Sequence, residues 1–239
     1  MTLSFIGYII MLIMRKNVSL IAKCLTFLTS FSGIILGFFF YEYDGYSHWH
    51  KRLLYFTTQS NIWIGTTMLI LVIFSLMKRD DVWVERLYLL KYFFTVSITI
   101  TGLVFCTLLA PFADETYHAW SPISLLTHVI TPVLAIADFF IDGKVINFKK
   151  RHVLYTAVAP LLYFVFVTIL GAFNVDFGKG EPFPYFFLNY NSPAGMFGFS
   201  KEPLALGSAY FIILFIIMVL GFGLLYAKLH KRLNGKLNR

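Results

Sequence analysis

Tyr55–Asn61, YFTTQSN, runs directly into Ile62–Met77, IWIGTTMLILVIFSLM. From Phe56 the run carries no charge until Lys78. At 1.5 Å per residue it matches a hydrocarbon core of about 30 Å. Backbone polar groups in lipid must be paired within their own segment, so the stretch reads as a membrane-spanning helix. Its mouth holds Thr57, Thr58, Gln59, Ser60 and Asn61 side by side. Lipid cannot satisfy those groups, so they must face other helices or water.

Five further apolar runs flank this one, and the six spans read as about 20–40, 56–76, 89–109, 125–141, 153–173 and 204–227. The composition agrees: 58% hydrophobic and 13% charged, against about 25% charged in a soluble domain. A soluble helical protein would need shorter runs with polar faces. A transmembrane barrel would need segments of alternating polarity, which are missing. The expected fold is an all-α integral membrane protein, with residues 1–239 forming one polytopic domain.

Basic residues set the expected orientation. The N-terminus, second and fourth connections and C-terminus hold Arg15, Lys16, Lys23, Lys78, Arg79, Arg86, Lys91, Lys144, Lys149, Lys150, Arg151, Lys228, Lys231, Arg232, Lys236 and Arg239. The other side holds Lys51, Arg52, Lys179 and Lys201. The positive-inside rule then puts both termini in the cytoplasm. The net charge of +8 reflects that topology and anionic headgroups, not nucleic acid, for which no extramembrane basic face is long enough.

Cys24 and Cys106 fall within apolar spans and read as buried, inert thiols. They give neither a disulfide framework nor a zinc spacing. Met1–Leu12 is apolar but too short to span. It reads as an interfacial helix or an extension of the first span, and is expected to be dispensable. The first connection, YEYDGYSHWHKR, and the fifth, about 174–203, are rich in aromatic residues. Either they form an interfacial aromatic belt or they cover a pocket in the outer leaflet.

Thr57, Ser60 and Asn61 are spaced i, i+3, i+4 and share a helix face. His128 lies about one turn into the fourth span, with Thr131, Ala135 and Asp138 on its face. The second and fourth spans run the same way, so Thr57 and His128 lie at matched depth. A hydroxyl and an imidazole at that depth suit nucleophile-and-base chemistry, and Ser60 or Asn61 would be oxyanion donors. A packed, hydrogen-bonded histidine is the plain alternative. Asp138 lies about 15 Å deeper, too far for a triad, and should pair with a basic group. Ser97 and Thr101 should bond to their own helix. Pro132 and Pro160 should bend theirs, and Tyr163 needs a hydroxyl partner.

YFTTQSN opening a span, SITITGLVF in the next, His128 before VITPVLAIAD, then APLLYFVFVTILGAF and PYFFLNY come in an ordered set. Over about residues 20–225 that set resembles the androgen-induced-gene family of six-helix membrane proteins, in its bacterial branch. The resemblance implies a threonine hydrolase of fatty acid esters of hydroxy fatty acids in a bacterial plasma membrane. Thr57 then resembles the nucleophile and His128 the base. Ser60, Asn61, Thr131, Tyr163 and Tyr185 are candidate substrate or oxyanion contacts. Thr58 stands beside Thr57, and Asp138-Phe139 replaces the Asp-Trp of bacterial relatives. No metal or organic cofactor is implied, and the expected partners are membrane lipids or a lipid-like ester, not another protein. The same pair would also serve an acyltransferase; a non-catalytic lipid-binding or transport protein is the other reading.

Overall fold

The computed structural model describes residues 2–112, 118–142, 144, 146–200 and 206–234, with side chains from residue 13 onward. Six helices are long and apolar enough to cross a membrane. They are α1 (Thr2–Phe39), α2 (Phe56–Leu76), α3 (Val82–Phe112), α4 (Pro122–Ile141), α5 (Lys150–Ala172) and α6 (Ser208–Asn234). No strand forms among the described residues; Phe199 and Leu206 make an isolated bridge.

Several helices start earlier or run further than hydropathy alone implies. The α1 helix continues through Arg15, Lys16 and Lys23, and α3 begins at Val82 instead of near 89. Charge ends an apolar run without ending a helix, because a basic side chain that is paired, as Lys23 is with Asp142, or that reaches water, as Lys16 does, leaves the backbone hydrogen bonds intact. Asp81 sets the start of α3, its carboxylate accepting from the N–H groups of Trp83 and Val84. Residues 2–12 continue α1, so of the two readings of Met1–Leu12 the extension of the first helix holds.

α1 packs along α2 and α4, and α3 packs against α2, α4 and α6. Glycines set the closest approaches. A Cβ on Gly65 would collide with Ser30 Oγ of α1. A Cβ on Gly102 would lie 2.8 Å from the His128 carbonyl of α4. Backbone cannot give way as a side-chain tip can. Gly102→Ala is therefore expected to cost about 1–3 kcal/mol, read as a lowered melting temperature in detergent.

Pro132 and Pro160 break regularity as expected. Pro132 has no N–H for the carbonyl of His128, four residues earlier, and its ring crowds that carbonyl. The helix answers with a π-helical turn at Leu126–Ile130. A second π-helical turn, Phe105–Leu109, lies near the end of α3 just before Pro111. Pro160 follows a break at Thr156–Ala157 within α5. Of the two cysteines, Cys24 is half-buried and Cys106 is exposed on the bundle surface. The expectation that both are buried fails for Cys106 and holds only in part for Cys24.

At the end of the bundle away from Thr57, two lysines and two aspartates are buried together. Lys91 lies 2.5 Å from Asp138 and 2.8 Å from Asp142. Lys23 lies 2.6 Å from Asp142 and 3.2 Å from Asp138. Ser19 donates to Asp138 at 2.6 Å. Asp138 thus meets basic groups from α1 and α3, as its depth required.

Candidate active site

Thr57 stands in the first turn of α2, which has no side-chain cap at Tyr55. Its Oγ1 lies 3.2 Å from Nε2 of His128. The π-helical turn beneath Pro132 carries His128, and Phe105, from the π-helical turn of α3, stacks on its ring at 4.3 Å between centroids. The two irregular turns therefore meet at the imidazole.

The far ring nitrogen settles the tautomer. His128 Nδ1 lies 3.1 Å from the carbonyl oxygen of Ser124, which can only accept. Nδ1 therefore carries the proton, and Nε2 presents a lone pair to the Thr57 hydroxyl. Thr127 Oγ1, itself donating to the Ile123 carbonyl at 2.9 Å, lies 3.1 Å from the same Nδ1. A backbone carbonyl and a hydroxyl do here what a carboxylate does in a triad, namely hold the base in one orientation.

The other expected contacts divide. Asn61 is fully buried, and its amide donates to the carbonyls of Thr57 at 2.8 Å and Thr127 at 3.0 Å. Ser60 donates to the Thr57 carbonyl at 3.1 Å and meets Thr101 Oγ1 at 2.8 Å. Neither lines the cavities beside Thr57. Both are corrected from oxyanion donors to supports: a group already spent on a buried carbonyl cannot turn away without leaving that carbonyl unpaired. Thr131 faces α1 and donates to Thr29 at 2.9 Å, so it is no substrate contact. Ser97 and Thr101 donate to the carbonyls of Phe93 and Ser97 in their own helix.

Tyr185 comes from the long loop before α6, and its hydroxyl lies 3.4 Å from Thr57 Oγ1. The ring stacks on Phe187 at 5.1 Å and meets Tyr55 edge-on. Burial raises its phenol above the ordinary tyrosine range, so it remains a protonated donor at neutral pH. Tyr163 donates to the carbonyl of Leu54 at 3.1 Å and lines the same cavity as Thr57 and Tyr185.

Two loops pack on one another over this end. Ser47 N–H donates to the Gly178 carbonyl at 2.7 Å, and Lys51 donates to the Asp176 carbonyl at 2.6 Å. Gly178 sits at φ +103°, and a Cβ there would come 2.7 Å from Lys51 Cβ. Only glycine allows that approach. Arg52 pairs with buried Asp44 at 2.5 Å beneath this cover.

Thr57 and Tyr185 line two cavities of opposite character. One, about 50 Å³, is walled mostly by apolar groups, among them Ile100, Val104, Phe164, Phe215 and Val219. The other, about 180 Å³, holds His128 with Asp44, Tyr46, Arg52, Thr58 and Lys179. The site thus has an apolar side and a polar side, with the Thr57 hydroxyl at their junction. Among the described residues no group of His, Cys, Asp and Glu forms a candidate metal site. Phe105, Ser124 and Thr127 were missed by sequence reasoning. Ser124 and Thr127, at i−4 and i−1 from His128, were open to it. No family model, curated protein or solved structure matches the chain.

Proposed function

We propose that the protein is a membrane-embedded threonine hydrolase of lipid-like esters, of the fatty acid ester of hydroxy fatty acid type. One observation carries the reading: Thr57 Oγ1 lies 3.2 Å from a histidine nitrogen that the Ser124 carbonyl keeps unprotonated. A threonine hydroxyl alone is too weak an acid to react, and an oriented base is what makes it a nucleophile.

In the mechanism, the Thr57 Oγ attacks the ester carbonyl carbon while His128 Nε2 takes its proton. The carbonyl oxygen becomes an oxyanion, to which the Tyr185 O–H donates. The tetrahedral adduct collapses, the alcohol oxygen leaves with the proton from His128, and an acyl-threonine remains. Water, losing its proton to His128 Nε2, attacks that ester. The second collapse returns the proton to Thr57 and releases the fatty acid. The apolar cavity lies where the first carbons of an acyl chain would meet Thr57, and the polar cavity lies where the leaving group and water would. In this reading both termini lie in the cytoplasm of a bacterial cell, and the site opens toward the outer leaflet of the plasma membrane.

Tyr185→Phe removes one oxyanion donor. It is expected to lower kcat by about 10²–10³-fold with little change in KM, measured on a fatty acid ester of a hydroxy fatty acid. Unchanged kcat would assign the oxyanion to another donor.

The reading itself is tested by labelling detergent-purified protein with a fluorophosphonate and weighing the intact chain. A single adduct on the wild type, absent in Thr57→Ala, supports the activated nucleophile. No adduct on folded protein, with lipid-induced thermal stabilisation retained, points to lipid binding or transport without catalysis. Analysis of products separates hydrolysis from acyl transfer to a lipid alcohol.

A further inference from the structure

At the end opposite Thr57 lies a cavity of about 280 Å³, lined in part by Arg15, Lys16, Ser19, Lys23, Asp142 and Lys144. We infer that it binds a phosphate group. The argument is independent of the chemistry at Thr57.

Charge balance is the first support. Lys23 and Lys91 are matched by Asp138 and Asp142. Lys144 pairs with Asp80. Arg15 and Lys16 meet no carboxylate among the described residues, so the site carries two positive charges beyond its own acids. A cavity that already satisfies its lysines internally yet keeps two further cations calls for an anion from outside.

Arg15 supplies the second support, because it is built into place. Its Nε donates to the Ile141 carbonyl at 2.9 Å. Its Nη2 donates to the Phe140 carbonyl at 3.2 Å and to Asn234 Oδ1 at 2.8 Å. These partners are the last carbonyls of α4 and a buried residue of α6, so the guanidinium is held from two sides. A guanidinium has five N–H donors. Three are spent, and the two on Nη1 have no acceptor among the described residues. Those two donors, on a fixed and permanently charged group, are left for the oxygens of an anion. The Lys16 ammonium, exposed one residue on, adds a mobile charge.

Phosphate can reach this place as a phospholipid headgroup or as the free anion. Basic pockets between membrane helices commonly hold anionic headgroups. Thermal unfolding of the full-length protein in neutral detergent separates the sources. One arm adds phosphatidylglycerol, with a neutral glycolipid as reference; the other titrates inorganic phosphate at fixed ionic strength. Stabilisation by phosphatidylglycerol alone assigns a headgroup, and saturable stabilisation by inorganic phosphate assigns the free anion. In either case Lys16→Gln should weaken the apparent affinity by about fivefold, as removal of one such charge does. Lys228→Gln, exposed on α6 outside the cavity, should leave it unchanged. Arg15→Gln should weaken it further, but Arg15 also ties helices together, so the exposed Lys16 decides. Stabilisation by neither ligand, or stabilisation indifferent to Lys16→Gln, overturns the inference.

Discussion

Thr57→Ala and His128→Ala are each expected to abolish ester hydrolysis, lowering kcat by about 10⁴-fold. The double variant should be no worse than either single one. The reason is in the 3.2 Å contact between Thr57 Oγ1 and His128 Nε2. Without the imidazole the hydroxyl keeps its proton; without the hydroxyl the imidazole has nothing to activate. Two groups that act as a unit fail as a unit. Thr57→Ser keeps the oxygen and should keep part of the rate. Thr57→Ala should not greatly disturb the fold, because the Ser60 and Asn61 bonds to residue 57 go to its backbone carbonyl. Steady-state kinetics on a fatty acid ester of a hydroxy fatty acid, alongside melting curves, gives the answer. Substantial activity in either single variant would remove the Thr–His mechanism.

Asp138→Ala should be the most destabilising single change in the bundle, by about 3–5 kcal/mol. Asp138 is fully buried, and it faces Lys23, Lys91 and Ser19. Its removal leaves two buried ammonium groups sharing Asp142. The cost is that of an uncompensated buried charge, not the worth of one salt bridge. Replacing Lys91 and Asp138 together by Met and Leu should therefore cost less than Asp138→Ala alone. Equilibrium unfolding in mixed micelles measures both. A loss under about 1 kcal/mol for Asp138→Ala would mean that water reaches the network and screens it.

The six spans were legible in the sequence because hydropathy and helical period are local properties. So was the polar mouth of α2, since lipid cannot pair those side chains. Matching the depths of Thr57 and His128 needed only the rise per residue and the direction of each span. The partner of Asp138 was legible in kind, because a carboxylate at that depth requires a cation.

What lay beyond the sequence was the rotation of each helix and the path of each loop. Ser60 and Asn61 share a face with Thr57, yet packing against Thr101 and the Thr127 carbonyl turns their donors inward. Tyr185 reaches Thr57 from 128 residues away, through a loop held by Gly178 and Lys51. The unprotonated Nε2 of His128 depends on which carbonyl its other nitrogen meets, and that is set by a π-helical turn forced by Pro132. By itself the sequence determined which segments lie in the membrane and at what depth their polar groups sit. The tertiary structure alone decided which of those groups touch. Burial is a property of each segment, whereas hydrogen-bond partnership depends on angles and distances between segments.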